Sequence, residues 1–83
     1  MENTVNAYQQ EIDKMLHLLA GKTQFRCFGK SPHRNYLYHI LGIFDNEQIA
    51  VKYFGKHKQW WHYEFIHAWG LYQDYKNGYI KIK

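Results

Sequence analysis

The chain contains one cysteine, one proline and no long apolar run. Because Cys27 has no partner within the chain, an intramolecular disulfide and a cysteine-rich zinc site are excluded, and a reducing compartment is indicated. No apolar run approaches the roughly 18 residues of a membrane-spanning helix, and residues 1–4 do not begin a secretory signal. We therefore expect a cytoplasmic protein with no membrane partner.

Acidic residues are also scarce. Lys and Arg number 11 against 7 Asp and Glu, which gives a formal net charge of +4, and no acid lies between Asp13 and Asp45. A positive field of this kind attracts anionic partners. The expected partners are therefore nucleic acid or an acidic protein surface.

Size limits the architecture. With 83 residues the chain is predicted to form one domain, 1–83, with no room for a separate catalytic domain. A domain this small buries only about 60 to 65% of the surface of its unfolded chain, so its core is one thin layer. Aromatic residues are abundant, with 8 Tyr, 5 Phe and 3 Trp. A shallow, ring-rich binding surface is more consistent with this composition than a deep substrate cavity.

The hydrophobic pattern predicts one helix followed by strands. An apolar stripe at helical spacing predicts an amphipathic helix over 4–20, with Gly21 as its stop. After Gly21 the period becomes two, and an Asn77-Gly78 pair signals a hairpin near the end. The predicted strands are 23–28, 36–44, 48–54, 60–69, 71–75 and 79–82. The predicted fold is α+β: an N-terminal amphipathic helix packed on one face of an antiparallel β-meander of four to six strands.

The predicted turn lengths set the strand register. A two-residue Asp45-Asn46 turn pairs Ile40 with Val51, and a three-residue 56–58 turn pairs Val51 with Tyr63. The face assigned to the helix then carries Tyr38, Ile40, Ile49, Val51, Tyr53, Trp61, Tyr63 and Phe65. A shift by one residue would place Glu64 or His62 beside Val51, which disfavours the other register.

The opposite face is the predicted binding site. On it, His39, Lys52 and His62 form one row, beside the rings of Phe54 and Trp60. Aromatic rings that stack on bases, combined with cations that meet phosphates, are typical of surfaces that bind single-stranded nucleic acid. The predicted site residues, which include cations of two adjoining loops, are Lys30, Arg34, His39, Lys52, Phe54, Lys56, Lys58, Trp60 and His62. The same face is apolar enough to be covered instead by the strand 23–28, by the C-terminal hairpin or by a second copy of the chain in a homodimer.

The six histidines show no metal-binding spacing, and no Asp or Glu completes a catalytic triad with them. We therefore expect no metal, no cofactor and no catalytic residue. The segment Gly29-Lys30-Ser31-Pro32-His33-Arg34-Asn35-Tyr36, after a helix and a strand, is similar to the Gly-Ser-His-Arg segment of HicA-type toxins. The resemblance implies a metal-independent RNase in which His33 is the general acid or base and Arg34 holds phosphate.

Three functions follow. The first is a non-catalytic module that binds single-stranded RNA or DNA through the basic, aromatic sheet face. The second is a small inhibitor or adaptor of the kind that phages and mobile elements encode, which would block a host or defence protein through its exposed rings. The third is the RNase that the HicA resemblance implies. The absence of a catalytic constellation favours the first two.

Overall fold

The computed structural model describes residues 2–28, 36–55 and 59–83. Its elements in chain order are α1 (Glu2–Leu19), β1 (Gln24–Cys27), β2 (Leu37–Ile43), β3 (Gln48–Phe54), β4 (Trp61–His67), α2 (Ala68–Lys76) and β5 (Ile80–Ile82). The five strands form one open antiparallel sheet in the order β4-β3-β2-β1-β5. The predicted α+β fold with an N-terminal helix is confirmed, and a second helix is added to it.

The first helix forms as its pattern predicts, although it begins at Glu2 and ends at Leu19. Gly21 follows with a φ of 75°, a left-handed conformation that favours glycine and ends the helix. Ile12, Met15 and Leu19, from the predicted stripe, are almost completely buried. They pack against the same side of the sheet as the buried residues of α2.

Helix α2 replaces the predicted strand 71–75. The side chain of His67 caps its start, because Nδ1 accepts the Trp69 backbone N–H at 3.1 Å. Ala68 and Leu71 are buried in the core, and Tyr72 packs against it. Apolar residues at 68, 71, 72 and 75 have helical spacing, a signal that was available in the sequence.

The predicted Asn77-Gly78 hairpin is wrong. Gly78 has a φ of 81°, its N–H bonds to the Tyr75 carbonyl at 3.1 Å, and the Tyr79 N–H bonds to the Asp74 carbonyl at 2.9 Å. These two bonds form the Schellman motif that closes a helix. An Asn-Gly pair signals a left-handed backbone, which helix ends and tight hairpins both use. The chain then leaves α2 and pairs β5 with β1, where Ile80 lies opposite Cys27.

The two glycines of this segment give a matched prediction for stability. Gly78→Ala should destabilise the protein by about 1 to 2 kcal/mol, because alanine is strained in the left-handed region. Gly70→Ala should stabilise it by about 0.5 to 1 kcal/mol, because Gly70 lies within α2 and weakens a helix relative to alanine. A Cβ at either position meets no atom within 4 Å, so only the backbone differs. Urea unfolding of both variants checks this; shifts of the same sign would contradict the assigned helix end.

A carboxylate fastens α2 to α1. Glu11 accepts hydrogen bonds from Trp69 Nε1 at 2.9 Å, from Gln73 Nε2 at 3.0 Å and from Lys76 Nζ at 2.9 Å. The bond from Lys76, followed by that from Gln73, holds the pKa of Glu11 below its ordinary value. Residues from the first, middle and last part of α2 thus converge on one residue of α1. Both helices consequently lie on the same side of the sheet.

The register of β2 with β3 is partly as predicted. His39 lies opposite Lys52 and Ile40 opposite Val51, as expected, but a bulge follows and Gly42 lies opposite Ala50. The observed turn has three residues, 45–47, where two were predicted. The Phe44 N–H donates to the Gln48 carbonyl at 2.9 Å across this turn, and Glu47 takes a φ of 65°. A glycine inside a strand is a common sign of a bulge.

The register of β3 with β4 differs from the prediction by one residue. The Gly55 N–H bonds to the Trp60 carbonyl at 3.0 Å, so four residues, 56–59, separate the paired ends instead of three. Val51 consequently lies opposite Glu64 and Tyr53 opposite His62. This shift moves every side chain of β4 to the face opposite the predicted one.

The side chains on β3 and β4 show why the shifted register is tolerated. The ring of His62 stacks on Tyr53 at 5.3 Å between centroids. Burial, together with the hydrogen bond that its hydroxyl donates to the Glu64 carboxylate, raises the pKa of Tyr53 to about 12. Because β4 is an edge strand, both polar side chains of the helix side remain partly exposed. The objection to placing Glu64 beside Val51 therefore does not hold at this edge.

Candidate interface on the open sheet face

Both helices cover one side of the sheet, and the other side, which we call the open face, carries no element of the described chain. Strand alternation and the observed registers assign its residues. Phe25, Tyr38 and Val51 point into the core, so their neighbours along each strand point to the open face. The residues of the open face include Gln24, Arg26, Leu37, His39, Ala50, Lys52, Phe54, Trp61, Tyr63, Phe65 and Lys81.

One half of the open face is aromatic. Phe54, Trp61, Tyr63 and Phe65 lie on β3 and β4 and are 47%, 40%, 66% and 61% exposed. Phe54 meets Trp61 edge to face at 5.6 Å, and Phe44 meets Phe65 in the same way at 5.6 Å. We call these five residues the ring strip. Contiguous groups of exposed rings are typical of interaction surfaces, which makes the ring strip a candidate interface.

A cation lies at the centre of the open face. Lys52 Nζ is 4.5 Å from the centroid of the Trp61 ring, a cation–π contact. The ring of His39 meets Trp61 edge-on at 5.4 Å, and its Nδ1 is 3.4 Å from Gln24 Nε2. His39, Lys52 and Tyr63 form one row across three strands. Charge, hydrogen-bonding groups and rings are therefore in direct contact at this point.

The other half of the open face is basic. Arg26 of β1 lies opposite Lys81 of β5. The Lys83 N–H bonds to the Gln24 carbonyl at 3.1 Å, which continues the same register by one pair beyond β5. With Lys52, these residues give the open face four cations.

The acidic residues all lie elsewhere. The helices carry Glu2, Glu11, Asp13 and Asp74, the turn between β2 and β3 carries Asp45 and Glu47, and Glu64 points to the helix side beside Val51. These are all seven acids of the chain. Every charged side chain that the described strands present on the open face is therefore basic.

The helix side differs in charge. A groove of about 550 Å³ between α1 and α2 is lined by Asp13, Lys14, His17, Leu18, Tyr72 and Tyr75. Its Asp13 and Lys14 carry opposite charges, so the groove lacks the single sign of the open face. Among the described residues, the open face is thus the surface whose charged side chains are all positive.

The structure brings three of the predicted site residues together: His39, Lys52 and Phe54 lie on the open face. Trp60 lies just before β4, and His62 points to the helix side, where its ring is 6.3 Å from that of Trp60. Their predicted placement on the open face was wrong because the register shifts by one. Lys30, Arg34, Lys56 and Lys58 lie outside the described residues, as does the segment 29–35 that resembles HicA-type toxins, including His33.

Sequence reasoning placed Trp61, Tyr63 and Phe65 on the wrong face and gave Arg26 and Lys81 no role. From Trp60 to His67, both the even-numbered and the odd-numbered residues include aromatic or apolar side chains. The pattern alone therefore does not show which of the two sets faces the helices. The length of the preceding turn makes that choice. Arg26 and Lys81 could have been found from alternation, because each lies between two apolar neighbours.

Within residues 2–28, 36–55 and 59–83, no three His, Cys, Asp or Glu side chains are grouped as metal ligands would be. Cys27 is half-buried and forms no disulfide within the chain. None of the described helices has the length and apolar character to cross a membrane. Comparison with protein-family models, curated proteins and solved structures finds no match to this chain.

Proposed function

We propose that this protein is a non-catalytic, cytoplasmic module that binds single-stranded nucleic acid on the open face. The observation that carries the proposal is the composition of that face, where exposed rings lie beside four cations and no carboxylate. A single cysteine, which can form no disulfide within the chain, agrees with a reducing compartment.

The arrangement suits a single strand more than a duplex. Unpaired bases can stack on Trp61, Tyr63 and Phe65, whereas the bases of a duplex stack on one another. These rings recur at every second residue of β4, a spacing of roughly 6.8 Å. Each stacked base contributes about 1 to 3 kcal/mol, so two or three rings provide a useful affinity without reading sequence.

The cations of the open face suit a phosphate backbone. Lys52 lies among the rings, and Arg26 is two strands away from it, roughly 10 Å across the sheet. A strand whose bases stack on the ring strip would therefore place its phosphates toward β2, β1 and β5. The distribution of rings at one edge and cations at the other thus gives bases and phosphates separate places.

A protein with an acidic surface is the second candidate partner. Tyr63 and Phe65 are more exposed than the other rings, and large exposed rings are frequent anchors of protein interfaces. Such a complex would depend on buried rings more than on counterions, so its affinity would change little with salt.

The salt dependence of binding distinguishes single-stranded nucleic acid from an acidic protein surface as the partner. For a fluorescein-labelled single strand, four phosphate contacts predict a loss of affinity of about 50-fold between roughly 50 and 200 mM salt. Lys52→Gln should weaken binding and lower the slope of log K against log salt by about 0.7. Lys14→Gln removes the same charge from the exposed surface of α1 and is the matched control. Fluorescence anisotropy with single-stranded RNA, single-stranded DNA and the corresponding duplex measures this.

The outcomes are distinct. Weaker binding of the duplex than of the single strand, with a larger effect of Lys52→Gln than of Lys14→Gln, supports the proposal. No binding of a single strand by the folded protein at the lower salt concentration would refute it and leave the acidic protein surface as the candidate.

A further inference from the structure

The two edges of the sheet differ in how they are protected. The edge strand β5 has three residues and carries Lys81, and short strands and lysines are devices that prevent edge pairing. The other edge strand, β4, has seven residues, no Pro, Gly or Lys, and an unbroken register with β3. An edge of this kind is a template for another strand.

The hydrogen bonds around β4 show which of its backbone groups are directed outward. The Gly55 N–H bonds to the Trp60 carbonyl, and the Ala68 N–H bonds to the Glu47 carbonyl. Because bonding alternates along an antiparallel strand, the even-numbered residues of β4 bond to β3 and the odd-numbered residues point outward. In the described part of the chain, no strand accepts the outward groups of Trp61, Tyr63 and Phe65.

We propose that β4 pairs with β4 of a second copy of this chain, antiparallel, about a two-fold axis at Tyr63. In such a symmetric pair the same residues meet twice. Trp61 lies opposite Phe65 of the second copy, and Tyr63 lies opposite itself. All of these residues have outward backbone groups, so the three pairs form about six hydrogen bonds.

Charge selects this register. With the axis at Tyr63, His62 lies opposite Glu64 of the second copy, and this attractive pair occurs twice. It falls at a non-hydrogen-bonded position, where opposed side chains come closest. With the axis at Glu64, the same outward groups would still bond, but two carboxylates would lie directly opposite each other, which is destabilising.

The pairing would also join the two open faces. Opposed residues of an antiparallel pair lie on the same face of the sheet. Trp61, Tyr63 and Phe65 of both copies would therefore form one continuous group of rings, with all helices on the other side. The homodimer would form through the sheet edge and leave the open face uncovered. This inference rests on the edge geometry and does not depend on nucleic-acid binding.

Sedimentation velocity without nucleic acid, over about a hundredfold range of protein concentration, tests the pairing. The wild type should form a dimer that dissociates on dilution. Tyr63→Pro should be monomeric, because proline removes the outward N–H at the axis and breaks no bond to β3. Tyr63→Val, the matched control, loses the ring but keeps the N–H and should remain a dimer. Tyr63→Lys sets two like charges opposite each other and serves as a second disruptive variant if the proline variant is unfolded.

Amide hydrogen exchange locates the interface. The Trp61, Tyr63 and Phe65 amides should be protected at high protein concentration and lose that protection on dilution. A wild type that stays monomeric, a dimer in which these amides exchange freely, or a dimer that persists in folded Tyr63→Pro would overturn the proposal. Lys52→Gln should leave the dimer intact, so failure of the nucleic-acid proposal and failure of the pairing are distinguishable.

Discussion

Trp61→Ala is expected to lower the affinity for single-stranded nucleic acid roughly 5- to 150-fold, whereas Trp60→Ala should leave it within about twofold. Trp61 lies on the open face at the β4 edge of the sheet, in contact with Phe54, His39 and Lys52. Its replacement therefore removes a stacking surface and also the ring that positions the central cation. Trp60 is the same residue type, one position earlier and more exposed, but it lies beside His62 on the other side.

Fluorescence anisotropy at low salt, on variants whose circular dichroism is unchanged, measures the difference. The pair also tests the register, because the register predicted from turn length would give the larger loss to Trp60→Ala. Equal losses for the two variants would contradict the placement of the binding surface on the open face alone.

Phe25→Ala is expected to destabilise the protein by about 3 to 5 kcal/mol. Phe25 is 1% exposed, and its ring is parallel to that of Tyr38 at a centroid distance of 5.0 Å. Its removal leaves a cavity where β1 and β2 meet the helix layer. Since the free energy of unfolding of a small domain is only about 5 to 15 kcal/mol, this single change should bring the protein close to unfolding at room temperature.

Phe65→Ala is the matched control, because Phe65 is 61% exposed on the open face. Its cost in stability should stay below about 1 kcal/mol. Urea unfolding followed by circular dichroism gives both values. A large cost for Phe65→Ala with a small one for Phe25→Ala would reverse the assignment of core and open face.

The stability and binding tests are complementary. Phe25 contributes to the core and has no place on the open face, whereas Trp61 is exposed on that face and outside the core. A variant that loses binding at unchanged stability identifies the surface, and one that loses stability identifies the core. Together they distinguish a binding face from a second buried layer.

Local chemistry determined much of this fold. The 3.6-residue spacing of Ile12, Met15 and Leu19 was sufficient for α1, because a single helix buries one stripe regardless of what lies beneath it. Alternation was sufficient for β2 and β3. The Ile40–Val51 pairing, predicted from a two-residue turn, is observed because the bulge between Ile40 and Gly42 compensates for the additional residue of the turn. Of the cations between Asp13 and Asp45, Arg26 lies on the open face, whereas Lys52, Lys81 and Lys83 come from later parts of the chain.

Where a sequence signal is compatible with two local structures, tertiary contacts decided which of them forms. Asn77-Gly78 marks a left-handed backbone, and burial of Ala68 and Leu71 made it the end of a helix instead of a hairpin. Helix α2 is held in its position by hydrogen bonds to Glu11, which is about 60 residues away in the sequence. A contact between residues so far apart cannot be predicted from a local sequence pattern.

The sequence by itself determined the α+β class, the first helix, the antiparallel sheet and the face shared by His39, Lys52 and Phe54. Only the tertiary structure decided which rings lie on that face. The reason is physical: side chains alternate with a period of two, so one additional residue between Gly55 and Trp60 turns the whole of β4 over. Because of that residue, Trp61, Tyr63 and Phe65 lie on the open face in place of Trp60 and His62. Either set is compatible with the alternation of the strand.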